Sequence, residues 1–191
     1  PSKSVTHRAL IAAALADGPS SILDPLLAED TSVTLAGLRE LGVPVEERDG
    51  CWAVHGCSGR VAGGGRLWLG DSGTSARFLL ALAALSRAPS RLDGSPRLRQ
   101  RPLRELGQAL RRLGSEIRLA PDGGGLPAEA GGSPPAGGTV RVAAGRSSQF
   151  ASALLLIGGV LDGGLELRLT PPVVSRAYVE MTVDTIEAFG G

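Results

Sequence analysis

Small polar and basic residues stand directly before apolar, helix-forming segments at three places in the chain. The clearest case is the stretch 69–85, in which Leu-Gly-Asp-Ser-Gly-Thr-Ser leads into Ala-Arg-Phe-Leu-Leu-Ala-Leu-Ala-Ala-Leu. Ser72, Thr74 and Ser75 are suited to cap a helix, because a hydroxyl can accept hydrogen bonds from the first free backbone N–H groups. Such an end carries unpaired donors and partial positive charge, and Arg77 adds a full charge. The pattern predicts an anion-binding helix terminus.

The same pattern occurs at the start of the chain and again near residue 147. Lys3, which is the only lysine, and Arg8 flank the first cap candidate, Ser4, and the tripeptide Ser-Ser-Gln at 147–149 opens the third segment. The helical segments that follow are apolar on nearly every side, which is typical of helices inside a domain. Three buried, roughly parallel helices with their N-termini at one end would meet at one ligand. Hydroxyls, an amide and guanidinium groups suit a polyol phosphate.

The order of the predicted elements repeats along the chain. Three helix-ending pairs, Leu41-Gly42, Leu113-Gly114 and Phe189-Gly190, stand 72 and 76 residues apart. Hydrophobic periodicity and turn residues predict a unit of roughly 70 residues, with the order β-α-β-α-β-β, about three times. We therefore expect an α/β fold of three repeated units packed around buried parallel helices. The units cover about 1–60, 61–138 and 139–191.

The predicted elements have the following bounds. The helices span residues 3–15, 30–41, 72–85, 102–113, 147–157 and 175–189. The strands span residues 20–23, 43–47, 51–55, 67–69, 90–93, 116–119, 139–142 and 165–169. We expect Ser4 or Thr6 to cap the first helix and Asp30 or Thr31 to cap the second. The segment 93–102 is predicted to be a turn-rich loop, and 122–138 a loop around one short strand.

Composition excludes several classes of function. Lys plus Arg number 20 and Asp plus Glu 19, which argues against a nucleic-acid partner attracted by bulk charge. Aromatic residues make up 3%, too few for base-stacking platforms. No run approaches the roughly 20 apolar residues of a membrane span, and the first residues do not resemble a signal peptide. We expect a cytoplasmic protein with no membrane or nucleic-acid partner.

The two ends of the chain fall inside the repeat pattern. The first unit lacks its opening strand, the third lacks its closing hairpin, and the chain begins at Pro1 without a methionine. We therefore expect this chain to be cut from a larger architecture.

Five segments resemble, in order, motifs of the 5-enolpyruvylshikimate-3-phosphate (EPSP) synthase family. The opening P-S-K-S-V-T-H-R resembles P-G-S-K-S-x-[ST]-[NH]-R, and L-G-D-S-G-T at 69–74 resembles L-G-N-[AS]-G-T. G-S-P-R-L-R-Q-R-P at 94–102 resembles G-[DE]-x-x-[LM]-[RK]-x-R-P. S-S-Q-F at 147–150 and S-R-A-Y at 175–178 resemble S-S-Q-[FY] and S-[KR]-P-Y. The match covers the whole chain.

This resemblance implies a fold and a reaction. The family has two globular domains, each an inside-out α/β barrel of three β-α-β-α-β-β units, and residues 1–191 would form one nearly complete domain. The reaction transfers the enolpyruvyl group of phosphoenolpyruvate to the 5-hydroxyl of shikimate 3-phosphate and releases phosphate, without a metal or organic cofactor. The family belongs to aromatic amino-acid biosynthesis and is the target of glyphosate. The full-length enzyme is expected to be a monomer.

The resemblance also implies site residues. Those expected to bind shikimate 3-phosphate are Lys3, Ser4, Arg8, Ser147, Ser148, Gln149, Ser175 and Tyr178. Those expected to bind phosphoenolpyruvate are Lys3, Gly73, Arg97 and Gln149. Among the arginines of its motif, Arg97 is expected to matter more than Arg99 or Arg101. Lys3 shares in catalysis, but most acid and base groups come from the other domain, so the isolated chain is expected to be inactive.

Two positions depart from the family motifs. Asp71 stands where Asn is usual, which places a carboxylate near a phosphate site, and Ala177 replaces a Pro. Repulsion between the Asp71 carboxylate and a phosphate would cost about 1 kcal/mol in a partly screened site.

Two alternatives remain open. UDP-N-acetylglucosamine enolpyruvyl transferase shares the fold, but it would carry a Lys-Asn pair near the start and a reactive cysteine in a flexible loop. Here Ser4 follows Lys3, and neither Cys51 nor Cys57 has such a context. The chain could also be a non-catalytic ligand-binding module of the same fold.

Overall fold

Helices and strands follow one another in the order that the sequence predicts. The computed structural model describes residues 2–121, 124–143, 145, 147–171 and 175–191. Pro1, in the first motif, and the start of the loop expected at 122–138 lie outside the described residues.

The observed elements overlap every predicted helix and strand, and the bounds differ by at most two residues. The helices are α1 (Lys3–Leu15), α2 (Glu29–Glu40), α3 (Gly73–Ala84), α4 (Pro96–Arg99), α5 (Arg104–Arg112), α6 (Ser148–Gly158) and α7 (Arg176–Ala188). The strands are β1 (Pro19–Leu23), β2 (Val45–Arg48), β3 (Cys51–His55), β4 (Arg66–Trp68), β5 (Ser90–Asp93), β6 (Ile117–Leu119), β7 (Ala128–Ala130), β8 (Gly138–Ala143) and β9 (Leu165–Thr170).

Three apolar helices, α1, α3 and α6, form the interior. Every residue of α3 except Thr74 is buried, and so is every residue of α1 from Thr6 onward. The three helices contact one another, with Phe78 and Phe150 among the largest side chains that are fully buried. Because apolar residues make up most of every side of these helices, the helices can be buried on all sides, and the few polar side chains that they bury, such as Arg8 and Ser75, are hydrogen-bonded.

The remaining long helices, α2, α5 and α7, each lie between two of the inner helices. Helix α2 contacts α1 and α3, α5 contacts α3 and α6, and α7 contacts α6 and α1. Each has one buried side, such as Leu35 and Leu38 in α2 or Leu106 and Leu110 in α5. The amphipathic helices therefore complete a ring around the inner three.

The strands form small sheets outside this helical core. Their orders are β1-β3-β2, β4-β5-β7-β6 and β8-β9, with β4-β5 and β8-β9 parallel and the other pairs antiparallel. A parallel pair needs a crossover, and here the crossovers are the buried helices α3 and α6. Most strands alternate buried or partly buried residues with exposed ones. Helices inside and sheets outside give the expected inside-out α/β architecture.

The predicted caps of the first two helices are wrong. Ser2 is the N-cap of α1, and the Thr6 hydroxyl instead accepts a hydrogen bond from the Leu26 N–H at 3.1 Å. Ala28 is the N-cap of α2, while Thr31, one turn later, accepts from the Ala28 N–H at 3.0 Å. Contacts with the segment that leads into α2 decide which hydroxyls are used, and such contacts are absent from local sequence.

The segment 93–102 is also more ordered than predicted. It contains the single turn α4, in which Ser95 is the N-cap, accepting from the Leu98 N–H at 3.1 Å, and Pro96 follows directly. The next helix starts at Arg104 rather than at Pro102, because Leu103 has a non-helical φ of −129° and is the N-cap, with its N–H donating to the Gly124 carbonyl at 2.7 Å.

Glycines end the helices as predicted. Gly42, Gly114 and Gly190 follow α2, α5 and α7 with φ of +84°, +107° and +88°. This left-handed conformation is cheap only for glycine. In the part of the chain that the structure describes, every helix is too short or too polar to cross a bilayer.

Candidate active site

The first turns of α1, α2 and α3 meet at Asp30. Its carboxylate accepts a hydrogen bond from Lys3 Nζ at 2.7 Å, and its backbone carbonyl accepts one from Ser75 Oγ at 3.1 Å. Ser75 also hydrogen-bonds the hydroxyls of Ser72 at 2.6 Å and Thr34 at 2.8 Å. A continuous polar network therefore fixes the three N-termini relative to one another.

Helix α6 joins this group through Gln149. Its side-chain Nε2 donates to the Thr74 hydroxyl, in the first turn of α3, at 2.9 Å. Helices α3 and α6 each have a serine N-cap. Ser72 Oγ accepts a hydrogen bond from the Ser75 N–H at 3.3 Å, and Ser147 Oγ accepts one from the Gln149 N–H at 3.2 Å. The two helix ends lie side by side, so their free N–H groups and partial positive charges add at one place.

Two guanidinium groups lie against Gly73, the first residue of α3. Arg77 is 6% exposed and donates through Nη1 to the Gly73 carbonyl at 2.6 Å and through Nη2 to the Pro102 carbonyl at 3.2 Å. A Cβ added at Gly73 would lie 2.5 Å from Arg101 Nη1 and 2.7 Å from Arg77 Nη1. Burial, together with the charge of Arg101, lowers the pKa of Arg77 to about 10.

The arginines of 94–102 therefore differ in position. Arg99 donates two hydrogen bonds to the Asp93 carboxylate, at 2.9 and 2.7 Å. Arg97 is exposed, and its side chain has no hydrogen bond or ion pair within the described ranges. Arg101 is the one beside Gly73. The sequence placed Arg77 at this helix start and the motif favoured Arg97 over Arg101, but only the return of this segment to the start of α3 brings Arg77 and Arg101 together at Gly73.

Arg8 is buried where α1, α6 and α7 meet. It is 2% exposed, and it donates to the hydroxyls of Thr182 at 2.7 Å and Ser152 at 3.0 Å. It also donates to the backbone carbonyls of Ser4 at 2.8 Å and Tyr178 at 3.2 Å. Burial lowers its pKa to about 10. These bonds use four of the five N–H hydrogens of the guanidinium, so its expected ligand role depends on the fifth.

The expected residues at the start of α7, Ser175 and Tyr178, are exposed, and Tyr178 lies beside Arg8. Ser175 is the N-cap and adopts the left-handed conformation with φ of +56°, which is strained for a residue other than glycine. The Tyr178 ring is 43% exposed and lies 5.6 Å from the Arg8 guanidinium. Ser148, at the start of α6, is buried.

The Asp71 carboxylate faces α4. It accepts a hydrogen bond from the hydroxyl of Ser95, the α4 N-cap, and the Ser95 N–H donates to the Gly70 carbonyl at 2.9 Å. The carboxylate is therefore held on the side of the 94–102 segment. Among the described residues, no three His, Cys, Asp or Glu side chains group into a metal site.

His7 lies beneath the site and has a strongly lowered pKa. It is 1% exposed, its Nδ1 lies 2.8 Å from Thr34 Oγ1, and its Nε2 has no partner among the described residues. Burial is the main cause that lowers its pKa to about 4; the charges of Lys3 and Arg8 act in the same direction, and Asp30 opposes them.

This pKa predicts a loss of stability in acid. Below about pH 6.5 the unfolded chain protonates His7 while the folded chain does not, so the free energy of unfolding falls by about 3 kcal/mol as the pH drops to about 4. We expect urea unfolding to show this loss and the His7→Asn variant, which keeps a residue of the family motif, to lack it. The control is His55→Asn, at an exposed position. Equal acid sensitivity in all three proteins would contradict the assignment.

Comparisons with known proteins agree with the motifs found at this site. Residues 1–191 match the family described as EPSP synthase (3-phosphoshikimate 1-carboxyvinyltransferase). The chain is 44% identical to the 3-phosphoshikimate 1-carboxyvinyltransferase of Methanosphaerula palustris, with 100% of this chain and 46% of that protein covered. It is 42% identical to that of Methanoculleus marisnigri, with 100% and 45% covered.

A solved structure shows the same fold. EPSP synthase from Acinetobacter baumannii is 30% identical and aligns with a TM-score of 0.80 over 94% of this chain and 40% of that chain. The chain thus spans less than half the length of each of these relatives. Match and motifs extend over the whole sequence, and the motifs meet at one end of the three buried helices. The chain belongs to the EPSP synthase family.

Proposed function

We propose that this chain forms one side of the active site of a 3-phosphoshikimate 1-carboxyvinyltransferase. The observation that carries the proposal is the meeting of the N-terminal turns of α1, α3 and α6, with Lys3, Gly73 and Gln149 at their ends. The names of the relatives support the reaction, which transfers the enolpyruvyl group from phosphoenolpyruvate to the 5-hydroxyl of shikimate 3-phosphate. Membership of this family disfavours the UDP-N-acetylglucosamine enzyme.

The two substrates would share this surface. Shikimate 3-phosphate would lie over the starts of α6, α1 and α7, on Ser147, Ser148, Gln149, Lys3, Ser4, Arg8, Ser175 and Tyr178. Phosphoenolpyruvate would lie at the start of α3, on Lys3, Gly73, Gln149 and an arginine of 94–102. The position of Arg101 beside Gly73 supports Arg101 for that contact, next to the exposed Arg97 that the motif favours. Cations and helix ends there would bind the phosphate and carboxylate groups.

The chemistry requires more than this surface supplies. The 5-hydroxyl of shikimate 3-phosphate loses its proton and adds to the enol carbon while the methylene carbon gains a proton and becomes a methyl group. Phosphate then leaves the former enol carbon as the methyl group loses a proton, so an acid and a base are needed. This chain offers donors and cations, and the carboxylate nearest to Lys3, that of Asp30, is ion-paired. We therefore propose that the main acid and base groups lie on a second domain and that this chain alone is inactive.

The exposure of the site supports a second wall. Lys3, Arg97, Arg101, Ser175 and Tyr178 are all exposed, whereas binding sites usually enclose most of a small ligand. We propose that residues 1–191 are one domain, that a second domain closes over these residues, and that the complete enzyme is a cytoplasmic monomer.

Ligand titration tests the proposal on the chain itself. Shikimate 3-phosphate should bind at millimolar concentration and shift the amide NMR signals of 147–149 and 175–178. Ser147→Ala should weaken binding, because it removes a hydroxyl at the start of α6, whereas Ser21→Ala on the exposed side of β1 should not. Unchanged signals in both segments at millimolar ligand would refute binding by this surface.

The orientation of Asp71 gives a further prediction for the complete enzyme. Asp71→Asn should change the Michaelis constant for phosphoenolpyruvate by less than about twofold, at low and at high salt, because the carboxylate is turned toward Ser95 and an amide oxygen can accept the same hydrogen bond. Steady-state kinetics at two ionic strengths check this. A salt-sensitive tightening would show that the carboxylate repels the ligand, and a clear weakening would show that it helps binding.

A further inference from the structure

Asp30, which the sequence analysis considered only as a helix cap, joins Lys3 to the start of α3. Its Oδ2 lies 2.7 Å from Lys3 Nζ, and Ser75 Oγ donates to its backbone carbonyl at 3.1 Å. The hydroxyl of Thr34, one turn later in α2, forms a hydrogen bond of 2.8 Å with the same Ser75 hydroxyl. Both the carboxylate and the backbone of Asp30 are thus fixed with respect to the helix end that Lys3 faces.

Lys3 has no second anchor in the part of the chain that the structure describes. Within the described residues its only hydrogen bond is the one to Asp30, and its side chain is 51% exposed. A lysine side chain is flexible and has a large rotamer entropy, so an ammonium with no partner would sample a wide volume. The position of Lys3 Nζ therefore depends on Asp30.

The ion pair between Lys3 and Asp30 is better suited to hold the Lys3 ammonium in place than to stabilise the fold. An exposed ion pair contributes little to folding. Although burial raises the pKa of the Asp30 carboxyl, the Lys3 ammonium and the Ser72 hydroxyl lower it more, so the carboxylate stays ionised in neutral solution and can hold the cation. Asp30 itself is one-third exposed, at the edge of the proposed substrate surface.

We propose that Asp30 is a positioning residue, which holds the Lys3 ammonium at the start of α3 where the two substrates would meet. A role of Lys3 in the reaction rests on the function proposed above. The position of its ammonium beside Asp30 does not depend on that function. Removing the Asp30 charge should leave the fold intact and release the ammonium.

The single lysine of the chain makes this directly measurable. With ¹³C at lysine Cε, the 191-residue chain gives one lysine signal, and its relaxation should report a restrained side chain. In Asp30→Asn the same signal should show the fast motion of a free lysine, while the unfolding midpoint stays within about 2 °C. The matched control is Glu46→Gln, which removes an exposed ion pair with Arg48. Lysine motion that is unchanged in Asp30→Asn overturns the inference.

Kinetics of the complete enzyme supply the second readout. Asp30→Asn should lower kcat/KM for phosphoenolpyruvate by about tenfold or more, Asp30→Glu should recover part of this loss, and Glu46→Gln should be neutral. Equal activity of Asp30→Asn and the unmodified enzyme would overturn the positioning role. An unmodified enzyme that is inactive on both substrates would instead refute the proposed function, and the NMR result on Lys3 would still stand.

Discussion

Replacing Arg101 by alanine is expected to raise the Michaelis constant for phosphoenolpyruvate by about tenfold to a hundredfold in the complete enzyme. Hydrogen bonds between charged groups contribute about 1.5–3 kcal/mol, and each 1.4 kcal/mol is about tenfold in affinity. Arg101 Nη1 lies beside Gly73, the first residue of α3, where a Cβ on that glycine would be. The Arg101 side chain has no hydrogen bond or ion pair among the described residues. It is therefore free to bind an anion there.

Arg97→Ala should change the same constant by less than about threefold, since that side chain is exposed and not held beside Gly73. Arg99→Ala is the matched control, because Arg99 belongs to the same segment but is paired with Asp93. Steady-state kinetics of the three variants rank the arginines. A larger effect of Arg97→Ala would support the ranking expected from the motif and would refute the one expected from the geometry.

Replacing Arg8 by alanine is expected to lower the free energy of unfolding by about 3–5 kcal/mol. The change removes four hydrogen bonds, to the hydroxyls of Thr182 and Ser152 and to the carbonyls of Ser4 and Tyr178, and it opens a cavity where α1, α6 and α7 meet. The guanidinium also lies 5.4 Å from the centre of the buried Phe78 ring, a contact that is lost as well. Urea unfolding of the chain measures the loss.

Two other variants separate burial from charge in this prediction. Arg48→Ala removes an arginine with an exposed ion pair to Glu46 and should cost less than about 1 kcal/mol. Arg8→Lys keeps the charge but cannot reach all four acceptors, so its stability should lie between that of Arg8→Ala and that of the unmodified chain. A cost below about 1 kcal/mol for Arg8→Ala would mean that the buried network does not hold the three helices together.

The order of elements and the layer to which each belongs could be predicted from the sequence. A segment such as 73–84, which from Phe78 onward consists only of Phe, Leu and Ala, is stable only inside the protein, and the charged Arg77 beside Phe78 is buried with it. Glycines after α2, α5 and α7 mark helix ends, because only glycine adopts the left-handed backbone conformation of these positions without steric cost. The Asp49-Gly50 turn joins β2 and β3 for a related reason. These features depend on neighbours in sequence, so local patterns determine them.

The partners of the charged groups were decided only by tertiary structure. Arg8 bonds to Thr182, 174 residues away, and Lys3 pairs with Asp30, 27 residues away. Which arginine of 94–102 lies beside Gly73, and which way Asp71 turns, depends on how that segment returns to α3. The motifs name the residue types that a phosphate site needs, but a long flexible side chain can reach many positions from one backbone. Packing of the helices selects one of these positions, and that selection is not encoded in the spacing of residues along the chain.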